Sequence, residues 1–217
     1  MEEEMYLWSI QEENVWELIQ DTGIYRCDPY KSDMLKPMQD EQIGKALEPQ
    51  FENAYEWLAE QMEKRVGPKP AGVRFPVWAW YQYRWKRKPD LRKERWSNGS
   101  SGERMVCMEL DVPDDLVLLS DFNAWHFVLN RWPISDSEEE SDQIHEYLDH
   151  AGKAEADAFL LDNWKRALAN TPSENDWIRR GEDVQATFWE LKREYVKKVR
   201  PFIVGTRKDQ KPTPVIP

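Results

Sequence analysis

Between Arg84 and Arg95 the chain sets seven cationic side chains, Arg84, Lys86, Arg87, Lys88, Arg92, Lys93 and Arg95, against Asp90 and Glu94 alone, a local balance of +5. Guanidinium and ammonium groups at this density neutralise the phosphates of a nucleic acid or nucleotide; the other reading of such a run is a solvated face. Aromatic rings are the second chemical resource, with 12 Trp, 8 Tyr and 7 Phe. Such rings pack cores, each burying ~150–250 Å², and their flat faces also stack on a base or a nicotinamide. A third run, Asp136 to Asp157, holds nine acids against Lys153, a balance of −8, and is either a self-screening segment or a surface for a partner protein.

Catalytic motifs of the strong kind are absent: there is no phosphate loop, no dinucleotide fingerprint, no His-Glu-x-x-His and no nucleophile elbow. His145 and His150, five apart, do not share a helix face, and His126 beside an aromatic stripe reads as structural. Cys27 and Cys107 lack metal-ligand spacing, so no metal is implied and free thiols in a reducing cytoplasm are expected. Thirty basic against 41 acidic side chains give a net charge of −11, which argues against broad, sequence-blind affinity for nucleic acid. The opening Met-Glu-Glu-Glu is acidic where a signal peptide is basic, and no apolar run approaches the ~20 residues of a membrane span. A soluble, cytoplasmic protein is the expectation.

The elements that must carry these groups follow from periodicity. At 217 residues the expected organisation is a single α+β domain over 1–204, with a helical insertion at about 135–180 and a flexible tail at 205–217. Met5 to Ile10 reads as a strand, and the Ser9/Glu12 capping spacing opens a helix over Gln11 to Asp21 that Gly23 ends, with Val15, Trp16 and Ile19 inward. Asp28 to Asp40 reads as loop. Phe51, Tyr55, Leu58 and Met62 mark a helix from Pro49 to Arg65. Val73 to Tyr81 is β-prone, with Pro76 near its start or on an edge, and Ser97 to Gly102 is a turn.

Met105 to Asp111 alternates as a half-buried strand, and Leu116 to Leu119 is a short buried one. Ser120 then offers an N-cap hydroxyl to a helix with the stripe Phe122, Trp125 and Leu129. Ala156, Leu160, Trp164 and Leu168 mark another helix. Val184 to Leu191 alternates as a strand, Lys192 to Tyr195 is a helical turn, and Val196 to Val204 is the last strand.

Four blocks carry a resemblance to known proteins: Leu7-Trp8-Ser9-Ile10-Gln11, Pro76-Val77-Trp78-Ala79-Trp80, Ser120-Asp121-Phe122 with Trp125-His126, and Gln185-Ala186-Thr187-Phe188-Trp189-Glu190. Together they resemble a bacterial domain-of-unknown-function family. The order of the blocks is also distantly similar to the DNA-modifying ADP-ribosyltransferases of toxin-antitoxin systems. That resemblance implies a curved, split, mixed β-sheet that clasps NAD, with Ser9, Gln11 and Trp78 shaping the cofactor pocket and Arg84 contacting a phosphate. Gln185, Thr187 and Glu190 would then stand at the catalytic position. Thr187 occupies the place of that family's final Glu, and a hydroxyl cannot act as a base near neutral pH, so either another acid, Glu190 three residues on, substitutes for it or the transferase chemistry is lost. Three functions compete: transfer of ADP-ribose from NAD to nucleic acid or protein, nucleotide or nucleic-acid binding without turnover, and protein interaction. The first requires Gln11 and Gln185 to open onto one cleft.

Overall fold

A computed structural model describes residues 4–27, 49–92, 99–172 and 177–205. Eight strands are formed: β1 (Glu4–Glu12), β2 (Ile24–Tyr25), β3 (Val77–Gln82), β4 (Arg104–Pro113), β5 (Leu118–Asp121), β6 (Val184–Phe188), β7 (Leu191–Lys192) and β8 (Val196–Ile203). Five helices accompany them among the described residues: α1 (Glu13–Thr22), α2 (Pro49–Arg65), α3 (Phe122–Leu129), α4 (Glu138–His150) and α5 (Lys153–Asn163). The fold is therefore α+β. Its main sheet has the order β5-β6-β3-β1-β4-β8, and β2 pairs with β7 in a second, two-stranded sheet. Every registered pairing is antiparallel, so the mixed sheet implied by the transferase resemblance is replaced by an antiparallel one.

The centre of the sheet is the β1–β4 pair, in register without interruption from Glu4 opposite Pro113 to Glu12 opposite Met105. Alternate side chains of a strand point to opposite faces, so this register sorts the residues of the whole sheet. Leu7, Met108, Leu110, Val77, Ala79, Ala186 and Phe188 share an aliphatic face, which α1 covers with Ile19. Trp8, Trp78, Trp80, Met105, Cys107, Leu118 and Phe202 belong to the other, tryptophan face. One half of that face is covered by α2, α3 and the 3-10 turn Trp164–Leu168, through Tyr55, Leu58, Trp125 and Trp164. On its other half Trp8 packs with Met105, Cys107, Phe202 and Val204. The reading of β4 as half-buried holds at Glu109 and Asp111, which stay partly exposed and pair with Arg200 and Lys197, but not at Cys107, which is 0 % exposed in the cluster with Trp8 and Phe202.

Boundaries moved where local signals were outweighed. β1 runs on to Glu12, so Ser9 is a strand residue and no side chain caps α1, whose C-terminus closes on left-handed Gly23 as expected. Asp121, not Ser120, caps α3: its Oδ1 accepts from the Ala124 N–H at 2.9 Å and its Oδ2 from the Gly181 N–H at 2.7 Å. Burial raises the Asp121 carboxyl above its ordinary value, against the lowering pull of those N–H groups and Arg180. Gly181 is obligatory there, with φ +82° and the Asn170 carbonyl 2.9 Å from where a Cβ would stand. β3 begins just after Pro76 and lies inside the sheet, not at its edge. Between α3 and β6 lie α4, α5 and the 3-10 turn, within the span expected to be helical. The stretches Asp28 to Asp40, Lys93 to Asn98 and 206–217 lie outside the described residues.

Trp125, 4 % exposed, is the joint between α2, α3 and the sheet, with Tyr55 at 5.5 Å and Trp78 at 5.3 Å between ring centroids. Trp125→Ala should lower the unfolding free energy by ~3–5 kcal/mol. Chemical denaturation with an unaltered midpoint would remove Trp125 from the core.

Candidate functional site

β3 does not end at Gln82 but turns on itself. Tyr83 and Lys86 exchange two backbone hydrogen bonds of 2.9 Å, leaving Arg84 and Trp85 as a two-residue loop with φ of 49° and 62°. Left-handed backbone at two consecutive positions is the requirement of a tight hairpin turn, normally met by Asn-Gly. A bulky side chain pays about 1–2 kcal/mol to sit there. Outside contacts hold the turn: the Asp183 carboxylate accepts the Arg84 N–H at 2.6 Å, and the Glu182 carbonyl accepts the Trp85 N–H at 3.0 Å. Asp183 also accepts the Phe122 N–H at 2.9 Å through its own carbonyl, which ties the hairpin to the start of α3.

This strain holds an indole out in solvent, Trp85 being 49 % exposed. Around it Arg84, Lys86, Arg87 and Lys88 are all exposed, and none pairs with a carboxylate among the described residues. Arg84 lies over the Tyr83 ring at 5.7 Å; Arg87 stacks on Tyr81 at 3.3 Å and donates to the Tyr6 carbonyl at 3.1 Å. Arg92 is paired with Asp90 at 3.0 Å. From the hairpin an aromatic row continues over the tryptophan face: Tyr83 to Trp80 at 5.1 Å, Trp80 to Phe122 at 5.1 Å, and Phe122 to His126 at 4.5 Å. Trp80, Tyr83 and Phe122 are half-buried and His126 is exposed.

The residues expected to grip NAD are not brought together. Ser9 and Gln11 stand opposite Met108 and Val106 on the aliphatic face, where Gln11 Nε2 donates to Ser9 Oγ and Ser9 Oγ donates to the Trp78 carbonyl, both at 2.9 Å. Trp78, Gln185 and Thr187 are on the tryptophan face, since Trp8, Trp80 and Gln185 are in register across three strands. Gln11 is three residues from Trp8, so its side chain leaves the sheet on the side away from Gln185. The single cleft is thereby overturned. Thr187 is fully buried and donates to the Leu118 carbonyl at 3.2 Å, while Glu190, past the end of β6, is held by Arg26 at 2.6 Å. The set does not fit NAD, and no transfer step follows from it.

The acidic run divides. Glu138, Glu139 and Glu140 open α4, where acids complement the helix dipole, and Glu140 and Asp136 bind Arg166 and Arg180 at 2.6 Å each. Asp157 pairs with Arg131. Among the described residues no group of three His, Cys, Asp or Glu side chains could hold a metal ion, and no helix is long and apolar enough to cross a membrane.

Sequence reading missed Trp85 and the hairpin because Tyr-Arg-Trp-Lys carries none of the turn residues that mark a two-residue loop. The interleaving of aromatic and basic residues from Tyr81 to Lys88 was the available signal.

Residues 6–197 match the family model described as Domain of unknown function (DUF3841). No curated protein and no solved structure matches the chain significantly.

Two measurements check this geometry. Replacing Arg84-Trp85 by Asn-Gly should stabilise the fold by ~1 kcal/mol, since the new residues take left-handed backbone freely; a lower melting temperature would deny the strain. Beside the hairpin, burial and the hydrogen bond to Glu109 push the Tyr6 hydroxyl up to about 12. A folded value above the unfolded one, near 10, means that the stability Tyr6 adds is complete below pH 10 and is lost as the pH rises through 12. Tyr6→Phe should flatten that alkaline loss, and an identical profile would show that Tyr6 does not titrate with folding.

Proposed function

The chain belongs to the family described as Domain of unknown function (DUF3841), a description that assigns no chemistry, and we propose that it is a non-catalytic module that binds single-stranded nucleic acid at the Tyr83–Lys88 hairpin. The observation that carries this reading is Trp85, an exposed indole kept in a strained turn among four exposed cations that have no carboxylate partner among the described residues. Strain of this kind persists where the surroundings over-determine it, and it concentrates at sites of function.

The chemistry matches a single strand better than a duplex. An exposed ring gains roughly 1–3 kcal/mol by stacking on a base, and a duplex hides the faces of its bases. Four cations on one hairpin meet only a few phosphates, which agrees with a chain of net charge −11: contact beyond the hairpin is repelled, and the strand is received at one place. The ADP-ribosyltransferase reading is not favoured, because its cofactor and acceptor residues leave the sheet on opposite faces.

The test is binding of short labelled single strands by fluorescence anisotropy at several salt concentrations. Trp85→Ala should weaken binding by ~5–150-fold, the loss of one stacked base. Arg84→Glu with Lys88→Glu should weaken it further and reduce the slope of log affinity against log salt by ~1.4, at about 0.7 per phosphate contact. These two cations are the informative pair, since Arg87 and Arg92 also have structural partners. No binding at low salt, or binding indifferent to both variants, would overturn the proposal.

A further inference from the structure

Resting on that reading, we propose that Gln185 and Ser120 form the floor of a site for one unstacked base, an adenine, reached along the aromatic row that leads inward from the hairpin. Ser120 is in register with Gln185, and Gln185 with Trp80, so the three stand side by side on the tryptophan face. Ser120 Oγ and Gln185 Oε1 are both buried, and neither has a hydrogen-bond partner among the described residues. Ser120 is 0 % exposed, where a hydroxyl without a partner is costly and rare. The same strand pair shows that a bond was available in principle. Thr187, two residues along β6, satisfies its own buried hydroxyl on a β5 carbonyl.

Two opposed strand neighbours with unused polar oxygens amount to recognition groups held ready. The Gln185 amide presents a carbonyl acceptor and an NH₂ donor in one plane, and an adenine edge presents the complement, an exocyclic amine beside a ring nitrogen. Ser120 can donate or accept beside it. The Trp78 indole N–H, on the same face, is also buried without a partner among the described residues and adds a donor. The walls are already stacking surfaces: Trp80, Tyr83 and Phe122, linked at 5.1 Å, are half-buried, and Tyr83 is the residue from which the turn carrying Trp85 springs. A strand engaged by the hairpin thus has a ring path for one base toward Gln185.

The experiment compares the affinities of short dA, dC and dT homopolymers for the full chain and for Gln185→Met, with thermal melting of both. The wild-type chain is expected to prefer dA by about tenfold, the scale of one well-placed hydrogen-bonding pair. Gln185→Met should bring the three affinities within about twofold of one another, leave the salt slope unchanged, and melt no lower than wild type, because it replaces an unpartnered amide by an apolar side chain of similar length. Gln185→Glu, which keeps the shape but removes the NH₂ donor, is the second variant if the first does not fold, and it too should level the preference. Equal wild-type affinities, or a dA preference that survives in the variant, overturn the base site alone. A wild-type chain that binds none of the strands overturns the hairpin reading instead.

Discussion

The uninterrupted antiparallel register of β1 on β4 is the constraint from which the arrangement of functional groups descends. With no bulge over nine residue pairs, the two-residue alternation of the central strand is rigid, and its neighbours inherit it through Trp8, Trp80 and Gln185. A slip of one residue would exchange the two faces, placing Leu7 and Leu110 among the rings and Trp8 under α1. Both faces bury apolar side chains of quite different size and shape, which makes such a slip costly. The separation of Ser9 and Gln11 from Gln185 is therefore a consequence of the core, not of local loop geometry.

On this scaffold, order is distributed unevenly. On the aliphatic face the polar pair Ser9 and Gln11 is bonded internally. The tryptophan face keeps Trp8, Trp78, Ser120 and Gln185 with buried polar atoms that have no partner among the described residues, and beside it stands a turn in left-handed backbone without a glycine. Left-handed non-glycine backbone also occurs singly at Arg131 and Arg179, but at Arg84 and Trp85 two such residues follow one another beside these buried atoms, a pattern expected where a surface is kept for binding at some expense of stability. Asp183 is what couples the two features, holding the hairpin with its carboxylate and the first turn of α3 with its carbonyl.

Charge is arranged to the same effect. The strongest acidic run is drawn into α4 and its neighbours, where Arg131, Arg166 and Arg180 answer Asp157, Glu140 and Asp136. Those arginines are structural cations. The hairpin cations are left facing solvent, so a protein of net charge −11 still presents a local positive surface, within a Debye length of ~8–10 Å at physiological salt.

Much of the scaffold could be read from residue order, because helices and strands report themselves through periodicity. The four-three-four spacing from Phe51 to Met62 fixed α2 at Pro49–Arg65, Gly23 marked the end of α1, and the alternation of Val106, Met108 and Leu110 announced β4. The α+β class and the basic and acidic runs were legible for the same reason, being properties of neighbours in the chain. The partner of each strand was not, since pairing depends on which faces can be buried together across a hundred residues, and that alone sent Gln11 and Gln185 to opposite sides. Nor was the turn at Arg84 and Trp85, whose residue types disfavour it locally. Asp183 and Glu182, about a hundred positions away, supply the outside bonds that hold it, so tertiary contacts and not sequence decided where the exposed indole and the exposed cations would meet.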